Sequence, residues 1–170
     1  MTYEVIRSDR RTVALEVTRE GRVLVRAPRR MTQKGIDSFV AKHQDWLNTH
    51  LAKQKIWQAA HPEPTKQEQQ AMLERAKAIL PEKVDHYAKS MGLRPSGITI
   101  TGARTRFGSC SPKNRLCFSW RLMAYPEEAI DYVVVHELAH LVHRNHGPDF
   151  HGLVASVLPD HESRRAMLRG

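Results

Sequence analysis

His136-Glu137-Leu138-Ala139-His140 sits inside an apolar run, with Ile130, Val133, Val134 and Val135 before it and Leu141 and Val142 after it. Apolar residues at this i, i+3, i+4 spacing predict a helix buried in a core. Side chains four residues apart on a helix stand one above the other, so both imidazoles point at one place with a carboxylate beside them. Buried polar groups need partners, and a metal ion partners such a set. Imidazole nitrogens suit zinc, and Glu137 can reach a zinc-activated water without being a ligand itself. The chain has 10 histidines, so a chance pentad on a surface helix with solvated imidazoles is the alternative. The apolar flanks leave little room for a solvated face.

A catalytic zinc site uses three protein ligands and one open position. The candidates for the third ligand are His143, His146, Glu162, Asp149 and His151. A straight helix carries His143 one turn past the metal. His146 is better placed: Asn145 tolerates the conformation that ends helices and Gly147-Pro148 cannot continue one, so the chain turns back after Arg144. Glu162, on an amphipathic segment over residues 160–168, is its rival. The HExxHxxxxxH spacing favours His146.

Three blocks carry a family resemblance. The first runs Ile130-Asp131-Tyr132-Val133-Val134-Val135-His136-Glu137-Leu138-Ala139-His140-Leu141, then Asn145-His146 and Phe150. The second is Thr105-Arg106-Phe107-Gly108-Ser109-Cys110-Ser111, and the third is Val23-Leu24-Val25-Arg26-Ala27-Pro28 ahead of Trp46-Leu47. Together they resemble the YgjP-like (domain of unknown function 45) metallopeptidases, relatives of the SprT and WLM zincins. The family commonly has Trp where Phe107 stands, and NHSxxFW where this chain reads Asn145-His146-Gly147-Pro148-Asp149-Phe150-His151. Neither departure touches His136, His140 or His146; the second alters the wall of the site.

The length, 170 residues, fits one core or one core with a small appended subdomain. Two cysteines exclude a disulfide scaffold and fit a reducing compartment. The start, Met1-Thr2-Tyr3-Glu4-Val5, has neither a basic nor an apolar leader region, and no long apolar run follows, so a cytoplasmic protein without a membrane span is expected. Of the formal charge of +9, most lies in residues 1–60, where 12 Lys and Arg face 6 Asp and Glu, against 15 and 12 in the remainder.

Residues 3–7, 12–18 and 22–27 alternate in polarity and predict a three-stranded meander. Ile36, Phe39, Val40, Trp46, Leu47 and Leu51 recur at helical spacing and could cover it. His61-Pro62-Glu63-Pro64 ends that helix. Thr65-Lys66-Gln67-Glu68 then reads as a capping box for a long helix bearing Leu73, Ala76, Leu80, Val84 and Tyr87, with Pro81 a candidate kink and Gly92 its stop. Ile98-Thr99-Ile100-Thr101 and Leu116-Cys117-Phe118-Ser119-Trp120 read as strands. A turn centred on Lys113 and Asn114 would pair Cys110 with Cys117, within disulfide reach in an oxidising medium, although two reduced thiols packed as small apolar groups is the plainer reading. Residues 115–122, just before the metal helix, are either a core strand or an edge strand to which an extended peptide adds.

The expected fold is α+β: a zincin-like metallopeptidase core over residues 65–170, with the HExxH helix and a small antiparallel sheet, preceded over residues 1–60 by a β-meander and helix. The expected chemistry is zinc-dependent peptide hydrolysis, with His136, His140 and His146 as ligands and Glu137 as general base. Arg106, His143, Tyr125 and His151 are candidates to stabilise the oxyanion. The resemblance also carries a nucleoside triphosphate pyrophosphatase activity on UTP. The basic balance suits phosphate, but the chain has no glycine-rich phosphate loop and no acidic cluster for magnesium. Nucleic-acid recruitment, suggested by the SprT relatives, is less favoured, because Arg7, Arg10, Arg11, Arg19, Arg22, Arg26, Arg29 and Arg30 fit the solvated faces and turns of a small sheet. A peptide or protein substrate is the expected partner.

Overall fold

The computed structural model describes residues 2–169. The chain is α+β, with two small mixed sheets, and its contacts divide it into two compact units, Met1–Glu63 and Pro64–Gly170.

In the first unit β1 (Glu4–Ser8), β2 (Ala14–Val17) and β3 (Val23–Pro28) form a sheet in the order β1-β3-β2. β1 runs parallel to β3 and β2 antiparallel to it, so the expected meander is replaced by a crossover that puts β3 in the centre. The reason lies in side-chain alternation. Val23, Val25 and Ala27 are buried on one face of β3, whereas β1 is mostly exposed, and the strand with the best apolar face takes a ladder on both sides. The helical stretch that follows is two helices. α1 (Gln33–Lys42) is capped by the Thr32 side chain accepting from Gly35 N, and α2 (Gln44–Ala60) begins after His43, whose non-helical backbone breaks the run. Ile36, Val40 and Leu47 pack with β3, but Trp46 stays 38% exposed and is no part of that core.

The second unit opens with α3 (Lys66–Met91) behind the expected capping box, with Thr65 and Glu68 bonded reciprocally. The helix runs through Pro81 and stops at Gly92, which takes the left-handed conformation at φ 66°. β4 (Gly97–Thr101), β5 (Gly108–Cys110) and β6 (Arg115–Ser119) then form a sheet in the order β4-β6-β5. β4 and β6 are parallel, β5 and β6 antiparallel, so this sheet too is mixed and not purely antiparallel.

Of the two readings of residues 115–122, the core strand holds: β6 is the central strand, with Leu116 and Phe118 fully buried, and β4 and β5 are the edges. The expected register changes. Cys110 pairs with Leu116 and Ser109 with Cys117, one residue away from the expected register. Successive residues of a strand face opposite sides, so Cys117 points away from the face that Cys110 shares with Leu116, and both thiols are free.

A 3₁₀ turn (Trp120–Ala124) leads into α4 (Glu127–Ala139), followed by α5 (Pro148–Val157) and α6 (His161–Ala166). α4 is the spine of the unit: Ile130, Val134, Val135, Leu138 and Ala139 are fully buried against residues from α3, β6 and α5. Its first half is tied down by charge. Lys83 Nζ on α3 lies 2.7 Å from Glu127 and 2.6 Å from Asp131, and Arg164 on α6 approaches Asp131 at 3.7 Å. Lys83 and Asp131 are mostly buried, so the pair links α3 to the first half of the helix that carries His136.

Candidate metal centre

α4 ends at Ala139 with His140 as its cap, one turn earlier than the sequence suggests. Leu141, Val142 and His143 continue in tight turns, their N–H groups bonding back to Leu138 and Ala139. The chain then reverses into α5, whose first residue is Pro148. This reversal brings His146 over the helix. One ligating nitrogen from each of His136, His140 and His146 lies within 4.8 Å of the others, and the Nε2 atoms of His136 and His146 are 3.2 Å apart.

Each ring is held by a neighbour. His140 Nδ1 donates to the His143 carbonyl at 2.9 Å, which fixes the tautomer that leaves Nε2 free. The Tyr132 hydroxyl, one helical turn before His136, lies 3.3 Å from His136 Nδ1. Phe150, buried on α5, touches all three imidazoles, with ring centroids 4.9, 4.6 and 4.9 Å away. The Phe150 ring thus forms an apolar floor beneath the three imidazoles.

Burial, with the neighbouring imidazoles adding to it, pushes His136 down to about 3, so the ring is neutral and its lone pair is available. Burial pushes the Glu137 carboxyl up to about 7, partly offset by the Arg106 guanidinium. Three imidazoles converging on one point, without a carboxylate among them, are the donor set of a borderline divalent cation, and zinc fits it. Glu137 stands beside that set on the next position of the helix, under β5. A Cβ on Gly108 would meet its Cγ at 2.8 Å.

The other candidates fall outside the triad. Glu162 is exposed on α6 and Asp149 exposed at the start of α5, and neither joins the cluster. His143 contributes its backbone carbonyl rather than its ring. His151 is exposed next to Phe150, with ring centroids 5.5 Å apart. Tyr125 packs edge-on against Phe107 at 4.9 Å, at the base of the loop that carries Arg106. Sequence reading missed Arg165, an exposed cation on α6 whose charge reaches Tyr132, His136 and His146. No spacing rule links it to α4, because the link is made by the turn between α5 and α6.

A buried HExxH helix whose two histidines meet a third imidazole across a chain reversal is a donor arrangement suited to a metal-dependent hydrolase. The chain belongs to the YgjP-like family: the model described as "YgjP-like, metallopeptidase domain" matches residues 11–73 and 65–170. Among solved structures the chain is similar to the metallopeptidase zymogen abylysin of Pyrococcus abyssi, at 19% identity and a TM-score of 0.48 over 52% of this chain and 90% of that one. It is also similar to the zymogen jannalysin of Methanocaldococcus jannaschii, at 22% identity and a TM-score of 0.46 over 51% and 89%. No curated protein matches the chain. Among the described residues no helix is long and apolar enough to cross a membrane.

Proposed function

We propose that the protein is a zinc-dependent peptidase in which His136, His140 and His146 hold the metal and Glu137 is the general base. The observation that carries this reading is the meeting of three imidazoles beside one buried carboxylate. Zinc in such a site supplies Lewis acidity, lowering the pKa of a water toward neutrality and polarising the scissile carbonyl.

Glu137 takes the proton of the attacking water and hands it to the leaving amine. Its elevated affinity for protons, from burial, suits a group that must first accept a proton and then give it up near neutral pH. Arg106, whose charge reaches Glu137, is the candidate cation for stabilising the oxyanion. The edge strand β5 offers a peptide main chain an antiparallel partner, and because Gly108 of β5 lies against Glu137, a substrate added there brings its carbonyl to the reacting groups. The second unit, residues 64–170, holds all of these residues and is the catalytic domain of this proposal.

Metal analysis joined to an assay tests the proposal. The purified protein should carry about one zinc per chain, lose peptide hydrolysis on chelation and regain it with zinc. UTP hydrolysis that depends on the same metal, without peptide hydrolysis, would replace the substrate half of the proposal and leave the site intact.

A further inference from the structure

The reversal between His140 and His146 contains a side chain that the reaction does not use. Arg144 reaches across to the β5–β6 turn. Its Nη1 donates to the Ser111 carbonyl at 2.8 Å and lies 3.4 Å from Cys110 Sγ. Its Nη2 donates to the Pro112 carbonyl at 3.4 Å and to the side-chain oxygen of Asn114. Both arms of the guanidinium fork therefore grip one turn.

That turn is itself rigid. Asn114 sits in the left-handed region at φ 60° and its N–H closes on the Ser111 carbonyl at 2.9 Å. Ser111 N–H donates to the Arg115 carbonyl at 2.9 Å, and the Ser111 hydroxyl accepts from Arg115 N–H at 3.1 Å. Ser96 adds bonds to the carbonyls of Asn114 and Lys113 at 2.8 and 2.7 Å. The loop over residues 141–147 lies between α4 and α5, yet it delivers both the carbonyl that holds His140 and the ring of His146.

We infer that Arg144 is a positioning residue for the metal centre: by anchoring this loop to the β5–β6 turn it aims His146 and steadies His140. The inference rests on the metal-site reading above. Without the anchor the loop has more conformations, and metal binding must order them. The planar fork is what makes the grip, so lysine is no substitute.

The test measures zinc affinity of the full chain by competition with a chromophoric chelator, together with the unfolding midpoint of the metal-free protein. Affinity is read where every metal-free variant is fully folded, so a lower midpoint cannot pass for weaker binding. Arg144→Ala should weaken zinc about 10- to 100-fold, the usual cost of losing an outer support of a ligand. Arg144→Lys should recover little of this. Asn114→Gly keeps the left-handed backbone but removes an acceptor, so it should weaken zinc less, and added to Arg144→Ala it should change nothing further, because the two share one contact. Wild-type affinity in Arg144→Ala, whatever its midpoint, overturns the inference and leaves the metal site standing. A wild-type chain that binds no zinc removes the site and the inference with it.

Discussion

Gly108 on β5 and Glu137 on α4 approach so closely that a Cβ at position 108 would stand 2.8 Å from Glu137 Cγ and 3.0 Å from its Oε1. Real side chains do not tolerate that distance, so in Gly108→Ala the carboxylate and β5 must move apart. Peptide hydrolysis should fall by about 10-fold or more, since small displacements of a proton-transfer group are costly, while zinc content stays at the wild-type value. Unchanged turnover would mean that Glu137 yields without losing its role.

Glu137→Gln should retain zinc and the fold while hydrolysis falls by orders of magnitude, because the amide cannot accept a proton from water. A second effect separates the two proteins without metal. Burial raises the Glu137 carboxyl to about 7 from an ordinary value of 4.5, so the stability it contributes as a neutral group is complete below about pH 4.5 and is lost as pH rises through 7. The glutamine variant does not titrate. Metal-free wild type should therefore weaken relative to Glu137→Gln between pH 4.5 and 8, by at most about 3 kcal/mol. Parallel stability curves in that window would show the carboxylate to be solvated.

The third ligand is checked by a pair of truncations. His146→Ala should weaken zinc binding strongly, whereas Glu162→Ala should leave it nearly unchanged, since Glu162 is exposed on α6 and outside the triad. Equilibrium dialysis against a zinc buffer gives both affinities, and the reverse ranking would hand the third position to the carboxylate.

Much of this site can be read from sequence because it is local. His136, Glu137 and His140 share one helix, and His146 follows a predictable reversal, so spacing alone brings them together. What spacing could not convey is long-range pairing. Parallel ladders between β1 and β3 and between β4 and β6 leave no mark in the alternation of either strand, so both sheets read as antiparallel. The hairpin register slipped by one residue for a local reason. The loop Pro112-Lys113-Asn114 has three residues and closes with Asn114 in the left-handed conformation, a common hairpin form that shifts the partner of Cys110 from Cys117 to Leu116. The same slip concealed what the Gly108 to Ser111 segment does. It meets the metal helix at Glu137 and the ligand loop at Arg144, which gives two motifs far apart in sequence a shared physical task.

The basic first unit offers a last prediction, about recruitment to nucleic acid. Arg22, Arg26 and Arg29 pair with Glu4, Glu16 and Asp9 at 3.4, 2.9 and 2.7 Å, and Arg7 donates to the Met31 carbonyl. These pairs are exposed and individually weak, but they direct three of the arginines at carboxylates of their own sheet. The indoles on α2 are occupied too: Trp46 stacks on His50 and Trp57 on His61. A surface that reads single strands needs cations interleaved with free aromatic faces, and here the indoles of α2 stack on histidines of their own helix instead. Fluorescence anisotropy with labelled DNA should therefore show weak binding whose logarithm falls linearly with the logarithm of salt and is lost near physiological ionic strength. Charge reversal at Arg10, Arg11 and Arg30 should reduce that residual binding while zinc content and peptide hydrolysis hold. Submicromolar binding that survives physiological salt would instead make the first unit a nucleic-acid anchor and would make recruitment, rather than the β5 edge alone, the source of substrate choice.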